Sequence, residues 1–260
     1  MLIGAMNHPK EDVAKEVEWM AELGLEFIDL TLEPPCAAVW RINISEIRKA
    51  VTRHGLRVVG HTAYYLPFCS PFESLRNAAV GEMKACLEAF AEIGAKCINI
   101  HPDRHAPMHD RKFIIDGNIR SLEELIPAAG KLGLEMMIEN LPGSFNTVHQ
   151  LGELLDPLPE LGLHLDIGHS NLMVEHNSAS EILAKYGNRL RHVHLHDNKG
   201  GNADLHLPLG TGTLKVEHEL RALKASGYNE TITLEVFSDD RHYLAYSRDR
   251  LRAVWEGIPG

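Results

Sequence analysis

The chain has 260 residues, with 26 Lys and Arg against 36 Asp and Glu, for a formal net charge of −10. A content of 44% hydrophobic and 24% charged residues is enough to build a sizeable core and argues against disorder. An acidic chain repels phosphate backbones, so nucleic-acid binding would need a local basic patch, and no apolar run approaches the roughly 20 residues of a membrane-spanning helix. The length suits one large α/β barrel or two small domains.

The apolar part of the amino terminus is short and has no basic leader, so it does not read as a secretory signal, and the mature protein is expected to be the whole chain. Cys36, Cys69, Cys86 and Cys97 form no C-x-x-C pair, and this usage fits a reducing cytoplasm.

Taken in order, short apolar runs rich in β-branched residues predict strands at 2–6, 27–32, 57–61, 97–101, 135–141, 162–167, 190–196 and 231–237. Amphipathic stretches between them predict helices at 10–23, 44–54, 72–93, 118–132, 147–155, 179–186, 214–226 and 239–255. Gly24, Gly55, Gly94, Gly133 and Gly227 each stand just before a strand, where a helix stops on a residue of positive φ. No Pro/Gly/Ser-rich linker divides the chain, so one domain is expected over residues 1–260. Strict βα alternation repeated eight times predicts a single (β/α)₈ TIM barrel, with an open doubly wound sheet as the alternative.

The position of the polar residues favours the barrel, whose active site forms at the carboxyl ends of many strands at once. His61, His101, Glu139, Asp166, His194 and Glu235 end six consecutive strand-like runs, and His169, Asp204 and His206 follow close behind. An unpaired carboxylate in an apolar strand costs several kcal/mol or changes its protonation, so Glu139, Asp166 and Glu235 call for a cation or dense hydrogen bonding. A shared divalent metal meets that need, and mixed carboxylate and imidazole ligation suits Zn, Mn or Fe. His164 and His192 lie two positions deeper on the same faces and are expected to fill a barrel layer. His196 is expected to orient a ligand, touch substrate or play a hydrogen-bonded structural role.

The segments His61-Thr-Ala-Tyr-Tyr-Leu, Asn99-Ile-His-Pro, Ile138-Glu-Asn, Leu165-Asp-Ile-Gly-His, His194-Leu-His-Asp, Asp204-Leu-His-Leu-Pro-Leu-Gly and Leu234-Glu resemble the xylose isomerase-like barrels. That family includes sugar phosphate isomerases and epimerases as well as the endonuclease IV type of apurinic endonuclease. The resemblance implies that Glu139, Asp166, His194 and Glu235 hold the metal of single-metal isomerases. It also implies a second ion at His61, His101 and Glu139 and a third at His169, Asp204 and His206, as in the endonuclease branch, giving one to three ions per chain.

Two function classes follow, and they use the same ligands. In a sugar or sugar phosphate isomerase or epimerase, Glu139 and Glu235 would exchange a proton with carbon beside a metal-polarised carbonyl. In a phosphodiester hydrolase acting at abasic DNA, clustered metals would supply hydroxide. A non-catalytic metal-binding barrel is a third class. Tyr64, His105, His196 and Lys199 are the expected substrate contacts, and Tyr64, Tyr65, Arg104, His105, Arg111, Lys112 and Lys199 are the loop groups available to DNA. The charge balance and the absence of a Lys/Arg cluster favour a small carbohydrate-type substrate over nucleic acid, with the protein a monomer or small homo-oligomer. Ketose epimerases of the family usually carry a further glutamate beyond the strand-five one and an arginine after strand seven. This chain has Leu-Pro-Gly-Ser-Phe-Asn and Asn-Lys-Gly-Gly there, which argues against ketose 3-epimerisation and leaves Lys199 as the cationic replacement.

Overall fold

The computed structural model describes residues 1–259. Its strands are β1 (Leu2–Met6), β2 (Phe27–Leu32), β3 (Arg57–Thr62), β4 (Cys97–Ile100), β5 (Glu135–Glu139), β6 (Gly162–Asp166), β7 (Leu190–Leu195) and β8 (Thr231–Leu234). The helices are α1 (Val13–Glu22), α2 (Ile44–His54), α3 (Glu73–Ile93), α4 (Arg111–Lys131), α5 (Val148–Leu155), α6 (Ala179–Tyr186), α7 (Val216–Ala225) and α8 (His242–Gly257). Each strand pairs in parallel with its neighbours and β1 closes on β8, so the sheet is a closed barrel and the open-sheet alternative falls away.

Local chemistry fixes the helix ends. Asp12, Asn43, Asp110 and Thr147 accept the backbone N–H three residues on, which satisfies donors that the first helical turn leaves free. Gly55 and Gly94 take φ of 66° and 110°, a left-handed turn that bulkier residues resist, and each sends the chain from a helix straight into a strand. Helix α4 starts at Arg111, a full two turns before the expected 118. Gly117 lies inside it, where an added Cβ would stand 3.0 Å from the Cys69 Cβ, so this glycine marks a close approach and not a helix stop.

Strands β4, β5, β6, β7 and β8 end one to three residues earlier than the sequence suggested. At the barrel mouth the ladder stops and loops take over. Leu141 pairs back with Phe145, and Asp197 with Leu207, each in an antiparallel bridge.

Inside the barrel the side chains form layers. Phe27, Val59 and Met137 make an apolar floor. Above it lie Asp29, His164, His192 and Thr233, all fully buried, and higher still are Glu139, Asp166 and His194. Between β6 and β7 the register matches these levels, pairing His164 with His192 and Asp166 with His194. Most of the apolar core lies outside this polar axis, between the sheet and the helices, where it carries the bulk of the stabilising burial. Among the described residues no helix is long and apolar enough to cross a membrane.

Candidate metal centre

Three features bring the ligand-type residues together. The carboxyl ends of β3 to β8 supply His61, His101, Glu139, Asp166, His194 and Glu235. A tight turn after β6 places His169, because Asp166 Oδ1 accepts the His169 N–H at 2.8 Å. Gly168 in that turn allows the backbone to approach β7, since a Cβ there would stand 2.3 Å from His196 Nε2. The long loop after β7 then delivers Asp204 and His206. His206 adopts a left-handed φ of 45°, held by the Phe237 N–H bonded to its carbonyl at 3.2 Å and by the adjoining Asp197–Leu207 bridge.

The four residues assigned to the central ion converge on one atom. His194 Nδ1 lies 3.4 Å from Glu235 Oε2, 3.9 Å from Asp166 Oδ2 and 4.0 Å from Glu139 Oε1. His194 Nδ1, Asp166 Oδ2 and Glu235 Oε2 are all buried and lack a hydrogen-bond partner among the described residues. Orphaned buried polar atoms are costly, and three of them around a common space form a donor set suited to a divalent cation. The other face of the imidazole explains why Nδ1 is the free atom. His194 Nε2 donates to Asp29 Oδ2 at 2.6 Å, and a carboxylate only accepts, so Nε2 keeps its proton and Nδ1 is the nitrogen left to bind a cation.

A second group lies beside it. His101 Nε2 is 2.8 Å and His61 Nε2 3.6 Å from Glu139 Oε2, which also accepts a short bond from the Asn99 amide. His61 Nδ1 donates to the Thr62 carbonyl at 2.9 Å, leaving Nε2 as another orphaned lone pair facing the carboxylate. In a third group, Asp204 lies 3.1 Å from His169 Nε2, 3.4 Å from His206 Nδ1 and 3.6 Å from His196 Nε2. All nine ligand-type residues thus meet in one connected cluster, bridged by Glu139 and Glu235.

Opposing effects set the charges. Burial pushes the Glu139 carboxyl up, but His101, together with a hydrogen bond from His169, holds it well below the ordinary carboxylate range. Glu235 follows the same pattern, with His194 and His206 overcoming burial, and Asp166 is lowered by His169 and His196 against burial. The imidazoles respond in turn. Burial disfavours their charge, yet Glu235 and Asp29 carry His194 well above its usual range, and Asp166 and Asp204 do so for His169. His164 differs, because burial and the adjacent His194 hold it well below, as a neutral ring.

Six of the nine ligand-type residues, His61, His101, His169, Asp204, His206 and Glu235, line a cavity of about 1230 Å³ that extends to Trp19 and Arg241, with Glu139, Asp166 and His194 buried behind them. Tyr64 and His105 line it, with Tyr64 largely exposed on the rim and His105 bonded to Asp103 at 2.9 Å. Lys199 is exposed and is not among the lining residues. His196 is fully buried and faces Asp166 and Asp204, so it sits with the third ligand group and not on the open cavity wall. Sequence reasoning missed Asp29 and Asn99, which hold His194 and Glu139. The only signal for either was a polar residue at an inward position of an apolar strand.

With this geometry in hand, the likenesses to other proteins are informative. The fructoselysine 3-epimerase of Escherichia coli O157:H7 is 24% identical, the match covering 90% of each chain. A probable endonuclease 4 of Halobacterium salinarum is 26% identical, with 82% of this chain and 86% of that protein covered. The crystal structure of a D-tagatose 3-epimerase-like protein superposes with a TM-score of 0.86 at 24% identity, over 98% of this chain and 97% of the other. The description "xylose isomerase-like TIM barrel" matches residues 17–254, and the chain belongs to that family.

Proposed function

We propose that the protein is a metal-dependent sugar isomerase or epimerase that moves a proton at a carbon beside a carbonyl. The observation that carries this is the pair Glu139 and Glu235. Both are held ionised by neighbouring imidazoles, and both lie within 4.0 Å of His194 Nδ1 from β5 and from just beyond β8. A divalent ion (Zn, Mn or Fe) held by Glu139, Asp166, His194 and Glu235 would supply Lewis-acid polarisation of the carbonyl and adjacent hydroxyl. Glu235 lines the cavity and is placed to take or return the proton, and Glu139, buried behind that lining and 4.0 Å from His194 Nδ1, is the partner carboxylate assigned to the other transfer. Asp29 keeps the His194 lone pair turned inward. Tyr64, on the rim, offers a ring against which a sugar face can pack and water be excluded.

The filled second and third ligand groups, together with the likeness to an endonuclease, support one other reading, hydrolysis of a phosphodiester at abasic sites. One experiment separates the two. Metal-loaded protein is incubated in D₂O with a panel of ketoses and, in parallel, with abasic duplex DNA. Deuterium entering the carbon next to the carbonyl, and lost in Glu235→Gln, is the expected result. Strand nicking without exchange would replace this reading with the hydrolase.

A further inference from the structure

In (β/α)₈ barrels phosphate is commonly held by the loops after strands 7 and 8, where backbone N–H groups and a helix N-terminus converge on the anion. Here both places are already taken by the protein's own carboxylates. Asp197, fully buried after β7, accepts the Gly210 and Gly212 N–H groups on Oδ2 at 2.8 and 2.9 Å. On Oδ1 it accepts those of Asn198 and Leu214 at 2.8 and 3.0 Å. The chain is shaped around this internal anion, since a Cβ on Gly212 would stand 2.3 Å from Asp197 Oδ1. At the start of α8, Asp240 Oδ1 accepts the His242 N–H at 2.9 Å and its ring N–H at 2.8 Å. The next donors, Tyr243 and Leu244 N–H, are bonded to the Asp240 and Arg241 carbonyls.

The cavity charges point the same way. Among the described residues its basic side chains are six histidines, four of them in the ligand groups, and two arginines that both have protein partners; no lysine lines it. Arg104 donates to the Pro142 carbonyl at 3.1 Å. Arg241 lies 3.8 Å over the Trp19 ring and 2.8 Å from Glu16, itself buried and holding the His8 N–H. Around them stand Glu11, Glu33, Asp239 and Asp240, in addition to the ligand carboxylates. On this part of the wall, away from the ligand imidazoles and the ions they would hold, a phosphate dianion would meet these carboxylates without the backbone donors after β7 and at the start of α8 that Asp197 and Asp240 already occupy.

We propose that the site takes an unphosphorylated polyhydroxy substrate, neutral or cationic in its substituents, and rejects phosphate esters of the same sugar. This rests on the sugar reading above and narrows it to one charge class.

The test uses metal-loaded wild-type protein and matched probes: a ketohexose, its 1- and 6-phosphates, and the 1-amino-1-deoxy ketose. Deuterium exchange gives kcat/KM for each, and ³¹P line broadening reports binding of the esters independently of turnover. The expected result is at least about a tenfold preference for the free or amino sugar, one tenfold step for each 1.4 kcal/mol of binding lost, with no ester broadening. Equal or better use of either phosphate, or ester broadening displaced by the free sugar, overturns the proposal. If no sugar in the panel exchanges, the proton-transfer reading falls, while the phosphorus signal still decides the charge assignment: sharp lines uphold it and broadened lines overturn it.

Discussion

Replacing Asp29 by Asn tests how the centre is held. The change preserves volume, so it opens no cavity, but it removes the charge from a carboxylate that accepts from His194 at 2.6 Å, Thr233 at 2.9 Å and His192 at 3.3 Å. An amide turned with its NH₂ toward His194 can only donate, which shifts the imidazole proton to Nδ1, the atom facing Glu139, Asp166 and Glu235. Loss of such an outer carboxylate weakens metal binding by about 10- to 100-fold, or about 1.4–2.7 kcal/mol. The fold should lose about 1–3 kcal/mol from donors left imperfectly paired. Calorimetric titration with Mn²⁺ or Zn²⁺ measures the first effect, thermal unfolding the second, and long-range ¹H–¹⁵N spectra read the tautomer of His194. Unchanged ion affinity with the His194 proton still on Nε2 would refute the reasoning, even if the variant melted earlier.

Further expectations concern the same cluster. Glu139→Gln and Glu235→Gln should each reduce solvent exchange into a turned-over ketose by at least about a hundredfold, the usual range of general acid–base catalysis. Circular dichroism should show an intact barrel, and retained exchange in either variant would remove that carboxylate from the mechanism. In metal-free protein His61, His169, His194 and His206 are all raised above 6.5, so their contribution is complete below pH 6.5 and is lost as pH rises through the raised values. Glu139 and Glu235 are lowered, so theirs is present above pH 4.5 and is lost as pH falls. Melting of chelator-treated protein should therefore decline on the alkaline side of pH 6.5 and recover with added ion; a metal-free melting temperature that climbs there would contradict the charge assignment. Gly168→Ala drives a methyl group to 2.3 Å from His196 Nε2, and elemental analysis should find fewer ions per chain than in the parent, which is expected to hold two or three. Equal stoichiometry would separate His196 from the third ligand group.

The barrel and the ligand positions were legible because both depend on local pattern. Apolar runs end in a carboxylate or imidazole strand after strand, and parity alone places Asp166 and His194 on one inward face, where the register also pairs them. Asp29 was not legible, because it sits mid-strand in Phe-Ile-Asp-Leu-Thr-Leu and its partners come from β7 and β8, more than 160 residues away. The role of Asp197 is equally long-range, since it depends on residues 210–214 returning over the end of β7. Lys199 read as a substrate cation from its place after strand seven. The turn through Gly200 and Gly201, both at positive φ, sits beside it on the exposed surface instead. Composition could describe the net charge, but not that the carboxylates would gather at one mouth.

The two anchored imidazoles, His61 on the Thr62 carbonyl and His194 on Asp29, have a consequence for metal choice. Their ligand nitrogens are aimed by hydrogen bonds that exist before any ion arrives, so an arriving ion would displace a proton but require no folding step and little rearrangement. A centre assembled in advance from oxygen and nitrogen donors discriminates weakly among divalent ions of similar size, and affinity then follows the general order of the metals themselves. An ion held there would accordingly be set by supply as well as by affinity, and one folded barrel would be able to exchange its metal with its surroundings without changing its shape.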